Sequence, residues 1–220
     1  MFQFETLRGA SGVVVCVITA SNRDRYHAQL DAMFRDRKRV FVDRLKWKLE
    51  VIDGQYERDS YDTDRTIYLV SADNRTGHIC SMRLMPTTQP HMLKDRFSSL
   101  CDGEIPIGDD VWEVTRLCTS PDLSPDQGRT ARRHLSLAMV EFGLLYGIAR
   151  FTMVTHLEYL SRLLAVGWEC RPLGTPKEFD GHLFGAMEVS ITPATLKALR
   201  VQFGGQTTPV LELQGLVEAA

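Results

Sequence analysis

Val111-Trp112-Glu113-Val114-Thr115-Arg116-Leu117-Cys118 reads as a strand with two charges set into it. Its apolar residues alternate well enough for an extended segment, yet Glu113 and Arg116 fall where a sheet should be deepest, and an unpaired charge there costs roughly several kcal/mol. Such charges need partners or a task. Arg37, the pair Asp59 and Asp62, and Arg83 lie upstream as ionic groups able to meet them. The expectation is that all six converge on a small zwitterionic ligand. One difficulty stands against it: positions 113 and 116 differ by an odd number, so a regular strand would point them to opposite faces. A bulge would bring them to one face.

Working outward from this strand, an N-terminal arm over 1–12 leads into a strand over 13–19. Ser21 and Asn22 offer a cap for a helix carrying Tyr26, Leu30, Met33 and Phe34 at helical spacing. A second helical piece covers 37–45, with Arg37 one turn before Phe41. Residues 47–65 lack a sustained period and predict an ordered loop, turned at Asp53-Gly54. Strands over 66–71 and 78–84 form a hairpin, followed by a short helix over 91–97 and a loop over 98–110. Beyond the focal strand, 121–129 reads as a loop. The longest helix then opens at Thr130, with Leu135, Ala138, Met139, Phe142, Leu145 and Tyr146 as its apolar stripe. A strand over 150–155, a helix over 157–166 stopped by Gly167, strands over 168–172 and 183–191, and a helix over 193–201 complete the order. These elements predict an α/β (α+β) fold: a single domain over 1–220 with one mixed sheet, helices on both faces, and a loosely ordered tail from about 205 to 220.

Composition limits the function classes. The 220 residues are 44% hydrophobic and 25% charged with a net charge of -2, which suits a soluble globule and gives no footprint for nucleic acid. Five cysteines with no C-x-x-C pair signal neither a disulfide framework nor a zinc site, and read as reduced core thiols of a cytoplasmic protein. The apolar run 13–18 is too short to span a bilayer, so no membrane is expected as a partner. The dinucleotide, P-loop, zincin and lipase-type motifs are all missing, and no metal or tightly bound cofactor is expected.

Several residue types remain as candidates for chemistry. Asp59 and Asp62, flanked by Tyr56 and Tyr61, suit two carboxylates aimed at one cation, against the plainer reading of a solvated acidic loop. Phe41 and Trp47 offer an aromatic face for a sulfonium or ammonium group, against simple core packing. Arg83 and Arg116 have the planar fork that holds a carboxylate, or they form structural ion pairs with those acids. Glu113 is the natural general base, since desolvation would raise it toward neutrality. Arg129, Arg132 and Arg133 could present positive charge to a phosphate-bearing arm, or simply form an exposed basic helix face.

Taken together these residues resemble the acyl-homoserine lactone synthases, the LuxI-type autoinducer synthases of bacterial quorum sensing. Arg37, Phe41 and Trp47 stand in the family's R-x3-F-x5-W pattern, ERDSYD supplies Asp59 and Asp62, RLMPTT supplies Arg83, and WEVTR supplies Glu113 and Arg116. Leu117-Cys118 departs from the more usual aromatic and small residue after the arginine. The resemblance implies a fold similar to the GNAT acetyltransferases, S-adenosylmethionine as a substrate, and an acyl donor that is either acyl carrier protein or acyl-CoA. It assigns Glu113, Arg116 and Arg83 to catalysis and Arg37, Phe41, Trp47, Asp59 and Asp62 to the sulfonium substrate. It also places Thr155, Met153, Leu117, Met139 and Phe142 along the acyl chain, with Val114 as a further contact, and leaves Arg129, Arg132, Arg133 and Arg150 for the donor's phosphates or a carrier protein. Two rivals stand beside it: a GNAT enzyme acetylating an amine from acetyl-CoA, and a catalytically silent metabolite-binding module.

Overall fold

The computed structural model describes residues 15–73, 77–205 and 210–212. The focal segment is a strand, and its apolar face explains the layer beneath it. Trp112 and Val114 look onto the longest helix, where Trp112 meets Phe142 edge-on at 6.1 Å between ring centroids.

In chain order the elements are β1 (Val15–Ile18), α1 (His27–Arg37), β2 (Val51–Ile52), β3 (Tyr56–Glu57), β4 (Ile67–Asp73), β5 (Gly77–Pro86), α2 (Met92–Arg96), β6 (Val111–Thr119), α3 (Pro125–Leu145), β7 (Arg150–His156), α4 (Leu157–Leu164), β8 (Cys170–Pro172), β9 (Lys177–Phe179), β10 (His182–Ser190), α5 (Pro193–Gln202) and β11 (Leu211–Glu212). The sheet runs β11-β1-β4-β5-β6-β7-β10-β8, with β9 paired to β10, while β2 and β3 form a separate small hairpin. The β6–β7 and β1–β11 pairs are parallel and the rest antiparallel. The helix α3 is therefore the crossover that a parallel pair requires.

Helices cover both faces, as expected. On one face α3 packs with α5 and α4 over the main apolar core. On the other, α1 packs on β1 and β4 through Tyr26, Leu30, Met33, Phe34 and Tyr68, and α2 packs near β10 through Leu93, Leu100 and Ala186. A buried polar relay helps fasten α1 to β5: Asp36 Oδ2 lies 2.9 Å from His78 Nδ1, and His78 Nε2 lies 2.9 Å from Ser81 Oγ. These are the residue types and contacts of a nucleophile relay, but here His78 and Ser81 are enclosed between α1 and β5 and tie the two elements together.

Three sequence expectations are corrected. The longest helix begins at Pro125, not Thr130, because Ser124 and Gln127 close a reciprocal capping box and Pro125 takes the first helical position. Within the expected loose tail, Val210 is buried and β11 pairs with β1; the carboxylate of Glu141 on α3 accepts the Val210 and Leu211 N–H groups at 3.0 and 3.1 Å. The expected loop over 47–65 contains the β2–β3 hairpin, turned at Asp53 and Gly54, both at positive φ. The arm over 1–12 and the first residues of the expected strand over 13–19 lie outside the described residues.

Close approach of two backbones fixes the loop beneath α2. A Cβ on Gly174 would lie 2.6 Å from both Asp102 N and Leu100 O. These are main-chain atoms that cannot swing aside, so Gly174→Ala should destabilise the protein by about 1–3 kcal/mol, as overpacking does. Urea denaturation checks this, and an unchanged midpoint would mean that the loop yields.

Candidate active site

The parity problem in β6 is resolved by a bulge. Across the β5–β6 pair, Ser81 faces Cys118 and Arg83 faces Thr115, so β6 carries one residue more than its partner. Arg116 takes up the irregularity in a left-handed conformation, φ 52°. The bulge turns Arg116 onto the face that carries Thr115 and Glu113. On that face Arg83 Nε donates to Thr115 Oγ1 at 2.9 Å.

Three guanidinium groups and three carboxylates then meet. Arg37 donates from Nε to Glu57 Oε2 at 2.6 Å and through both Nη atoms to Asp62 at 3.0 Å. Arg83 grips both oxygens of Asp59, at 2.5 and 3.2 Å, and lies 3.1 Å from Asp62. Arg116 Nη2 closes the ring, donating to Glu57 Oε1 at 3.0 Å and to Asp59 Oδ2 at 2.7 Å. The Tyr68 hydroxyl and the Asp59 backbone N–H also donate to Asp62, at 2.8 and 2.9 Å. Only Asp59 keeps appreciable exposure, 17% of its side chain.

Electrostatics follow from the pairing. Burial opposes ionisation of Asp62, but Arg37 and Arg83 hold it well below the usual carboxylate range. Burial likewise opposes ionisation of Asp59, and Arg83 and Arg116 bring it down. The pairing therefore stabilises the fold above the unfolded carboxylate value near 3.9, and that stabilisation is lost as pH falls through the depressed folded values.

Glu113 stands apart from this ring. It is fully buried, and its carboxylate accepts the Met92 and Leu93 N–H groups at 2.8 and 2.6 Å, at the start of α2. Desolvation pushes it up to about 7 despite those two donors. Met92 Sδ touches both Arg83 and Arg116 at 3.5 Å, so the Glu113 anchor and the ion ring share a wall.

An aromatic run flanks the ring. The segment Lys38–Arg44 continues α1 as a wide π-helix, a local form often found at functional sites. Phe41 lies under the Arg116 guanidinium at 5.8 Å and stacks on Trp47 at 5.1 Å with planes 5° apart. These rings lie near the place where β6 and β7 part: their parallel pairing ends at Val114 and Met153, although both strands continue.

The residues expected along the acyl chain flank that parting on the α3 side. Val114, Met139, Phe142 and Met153 are buried in one cluster. Thr155 is half-buried opposite Gly185, and Leu117 is exposed. Each of the four arginines expected to meet the donor has a partner of its own. Arg129 pairs with Asp126, Arg132 donates to Thr119 Oγ1 at 3.3 Å, Arg133 covers the Phe203 ring at 5.5 Å, and Arg150 reaches Glu188 at 3.4 Å. Sequence reading missed Glu57, Tyr68, Met92 and Thr115. Glu57 stood in the acid-dense stretch around Asp59 and could have been found as the third acid needed to balance three arginines.

Removing one member of a buried ion ring strands the others. Arg37→Met would leave Glu57 and Asp62 short of a partner, so a loss of about 3–5 kcal/mol is expected in urea denaturation. Wild-type stability in that variant would show that the ring does not hold the loop in place.

Comparison with known proteins agrees with this geometry. The autoinducer synthase family model matches residues 21–197. An acyl-homoserine-lactone synthase from Ralstonia solanacearum is 34% identical over 176 residues, covering 77% of this chain and 86% of the relative. A solved CoA-dependent acyl-homoserine lactone synthase, with SAM and isopentyl-CoA, is 30% identical with a TM-score of 0.82, covering 91% of this chain and 93% of that one. A putative N-acetyltransferase from Lactobacillus plantarum shares the fold alone, with a TM-score of 0.54 at 20% identity, covering 81% and 98%. The buried ion ring, the bulged strand and the extent of these matches lead to one conclusion: the chain belongs to the autoinducer synthase family of acyl-homoserine lactone synthases.

Proposed function

We propose that this enzyme acylates the amine of S-adenosylmethionine from an acyl-CoA thioester and then closes the lactone at the site formed by Asp59, Arg83, Arg116, Glu113 and the Phe41–Trp47 stack. The observation that carries this reading is the juxtaposition of the ion ring with the parting of β6 and β7. A sulfonium substrate bearing an amine and a carboxylate finds there a partly exposed acid backed by two guanidinium groups, and an aromatic face. A thioester entering between the strands meets the amine.

In this reading the substrate ammonium gives one proton to Glu113, directly or through water, and the neutral amine attacks the thioester carbonyl. The amide forms, and the released thiolate takes the second amine proton. The substrate's own carboxylate oxygen then attacks the side-chain carbon bonded to the sulfonium sulfur, that C–S bond breaks to release methylthioadenosine, and the sulfonium and carboxylate charges disappear together as the lactone closes. Arg37 and Asp62 are fully engaged with each other and with neighbours, so their part is to hold Asp59 and Arg83 in place. Phe41 and Trp47 supply the face for the sulfonium. The acyl chain runs past Val114, Met153, Thr155 and Leu117 over a floor made by Met139 and Phe142.

The choice of CoA over acyl carrier protein as donor is supported by the solved CoA-dependent relative. Purified enzyme given S-adenosylmethionine and matched acyl-CoA and acyl-carrier-protein panels should release methylthioadenosine and lactone in equal amounts with CoA donors. Turnover restricted to the carrier protein would reverse the donor assignment, and no turnover with either would end the proposal.

Raised to about 7, Glu113 is protonated below that pH and unable to accept the amine proton, so single-turnover acylation should rise with pH through about 7. In Glu113→Gln that limb should vanish and the rate should fall about a hundredfold or more; unchanged turnover would remove Glu113 from the mechanism. Asp59→Asn should weaken S-adenosylmethionine binding more than donor binding in titration calorimetry, and the opposite order would overturn that assignment.

A further inference from the structure

The aromatic run does not stop at Trp47. His156, the last residue of β7, stacks on Trp47 with ring centroids 5.6 Å apart and planes at 25°. Its ring is held from behind by Phe184 on β10 at 4.3 Å, and His182 meets it edge-on at 5.3 Å. Register supports the arrangement, because Phe184 is the direct cross-strand partner of His156. Trp47 is thus in contact with both the Phe41 ring and the His156 imidazole.

We propose that neutral His156 is a positioning residue for the sulfonium substrate: it sets the plane of Trp47, and its protonation weakens substrate binding. The inference rests on the sulfonium pocket proposed above. A cation gains from an aromatic face through the ring's negative quadrupole. An imidazolium stacked on the same indole would compete for that quadrupole and repel the substrate cation.

The surroundings favour the neutral ring. Burial lowers His156 below its ordinary value, and His182 adds to the effect, while Glu158 on α4 works weakly the other way. The Trp47 segment brings Lys46 and Lys48, both exposed, and Phe184 brings no charge. Protonation is therefore disfavoured in the folded site, and the neutral form prevails until pH falls below the ordinary histidine value.

Calorimetric titration of the full-length enzyme with S-adenosylmethionine between pH 5.5 and 8, with Glu113→Gln in every protein compared so that Glu113 does not titrate in the window, tests this without requiring turnover. Wild type should bind about tenfold more weakly at the acid end, the range a cation–π contact can supply. His156→Phe should keep wild-type affinity at pH 8 and lose the acid-side weakening. His156→Ala should bind at every pH about tenfold more weakly than the wild type does at pH 8. Meanwhile the Glu113-dependent rise in acylation rate should persist in the Phe variant, which separates the two titrations. An acid limb that survives in His156→Phe, or an Ala variant with wild-type affinity throughout, would overturn the role of His156. Failure of the wild type to make lactone from any donor would count against the proposed reaction and leave the binding result standing by itself.

Discussion

Three guanidinium groups can be buried within reach of one another only if as many carboxylates are threaded between them. Arg37, Arg83 and Arg116 satisfy that condition with Glu57, Asp59 and Asp62, and each cation is shared between at least two acids or between an acid and a hydroxyl. The requirement reaches far along the chain, since the six residues come from the end of α1, from β3 and the loop after it, from β5 and from β6. The β6 bulge is part of the same constraint: without one extra residue, Arg116 would point toward α3 and leave Glu57 with half its partners. Buried ion pairs are poor sources of net stability, so this ring is better understood as a device that fixes geometry. Its net formal charge is zero, and one carboxylate on its rim, that of Asp59, stays partly exposed.

The sequence disclosed most of this because charge inside an apolar pattern is hard to hide. Glu113 and Arg116 stood out, the odd spacing between them demanded a bulge, and the bulge is present at Arg116. The hairpin of β4 and β5, the strand β7 and the helices α1, α4 and α5 follow apolar periodicity closely enough to be located. Harder to read were features whose cause lies across the fold. Glu57 alternates into the ring from a two-residue strand that has no periodicity to detect. The N-terminus of α3 was masked by Gly128, a poor helix former, although Ser124, Pro125 and Gln127 spelled the capping box. β11 depends on Glu141, more than sixty residues away, and no local pattern reveals such a partner.

The aromatic run beside the ring shows how a site can be assembled from two elements that are drawing apart. β6 and β7 separate after Val114 and Met153, and that opening would expose apolar surface unless something bridged it. Phe41, Trp47 and His156 lie in that region as stacked planes, and aromatic planes slide over one another at less expense than interdigitated aliphatic chains.

β11 lies parallel beside β1, so the first described strand is completed on its outer edge by the last. As the polypeptide emerges from the ribosome, that edge has no partner until nearly two hundred further residues have been made. Until then the β1 edge stays open to other strands, and closure waits for the short β11 segment, which Glu141 holds through the Val210 and Leu211 N–H groups.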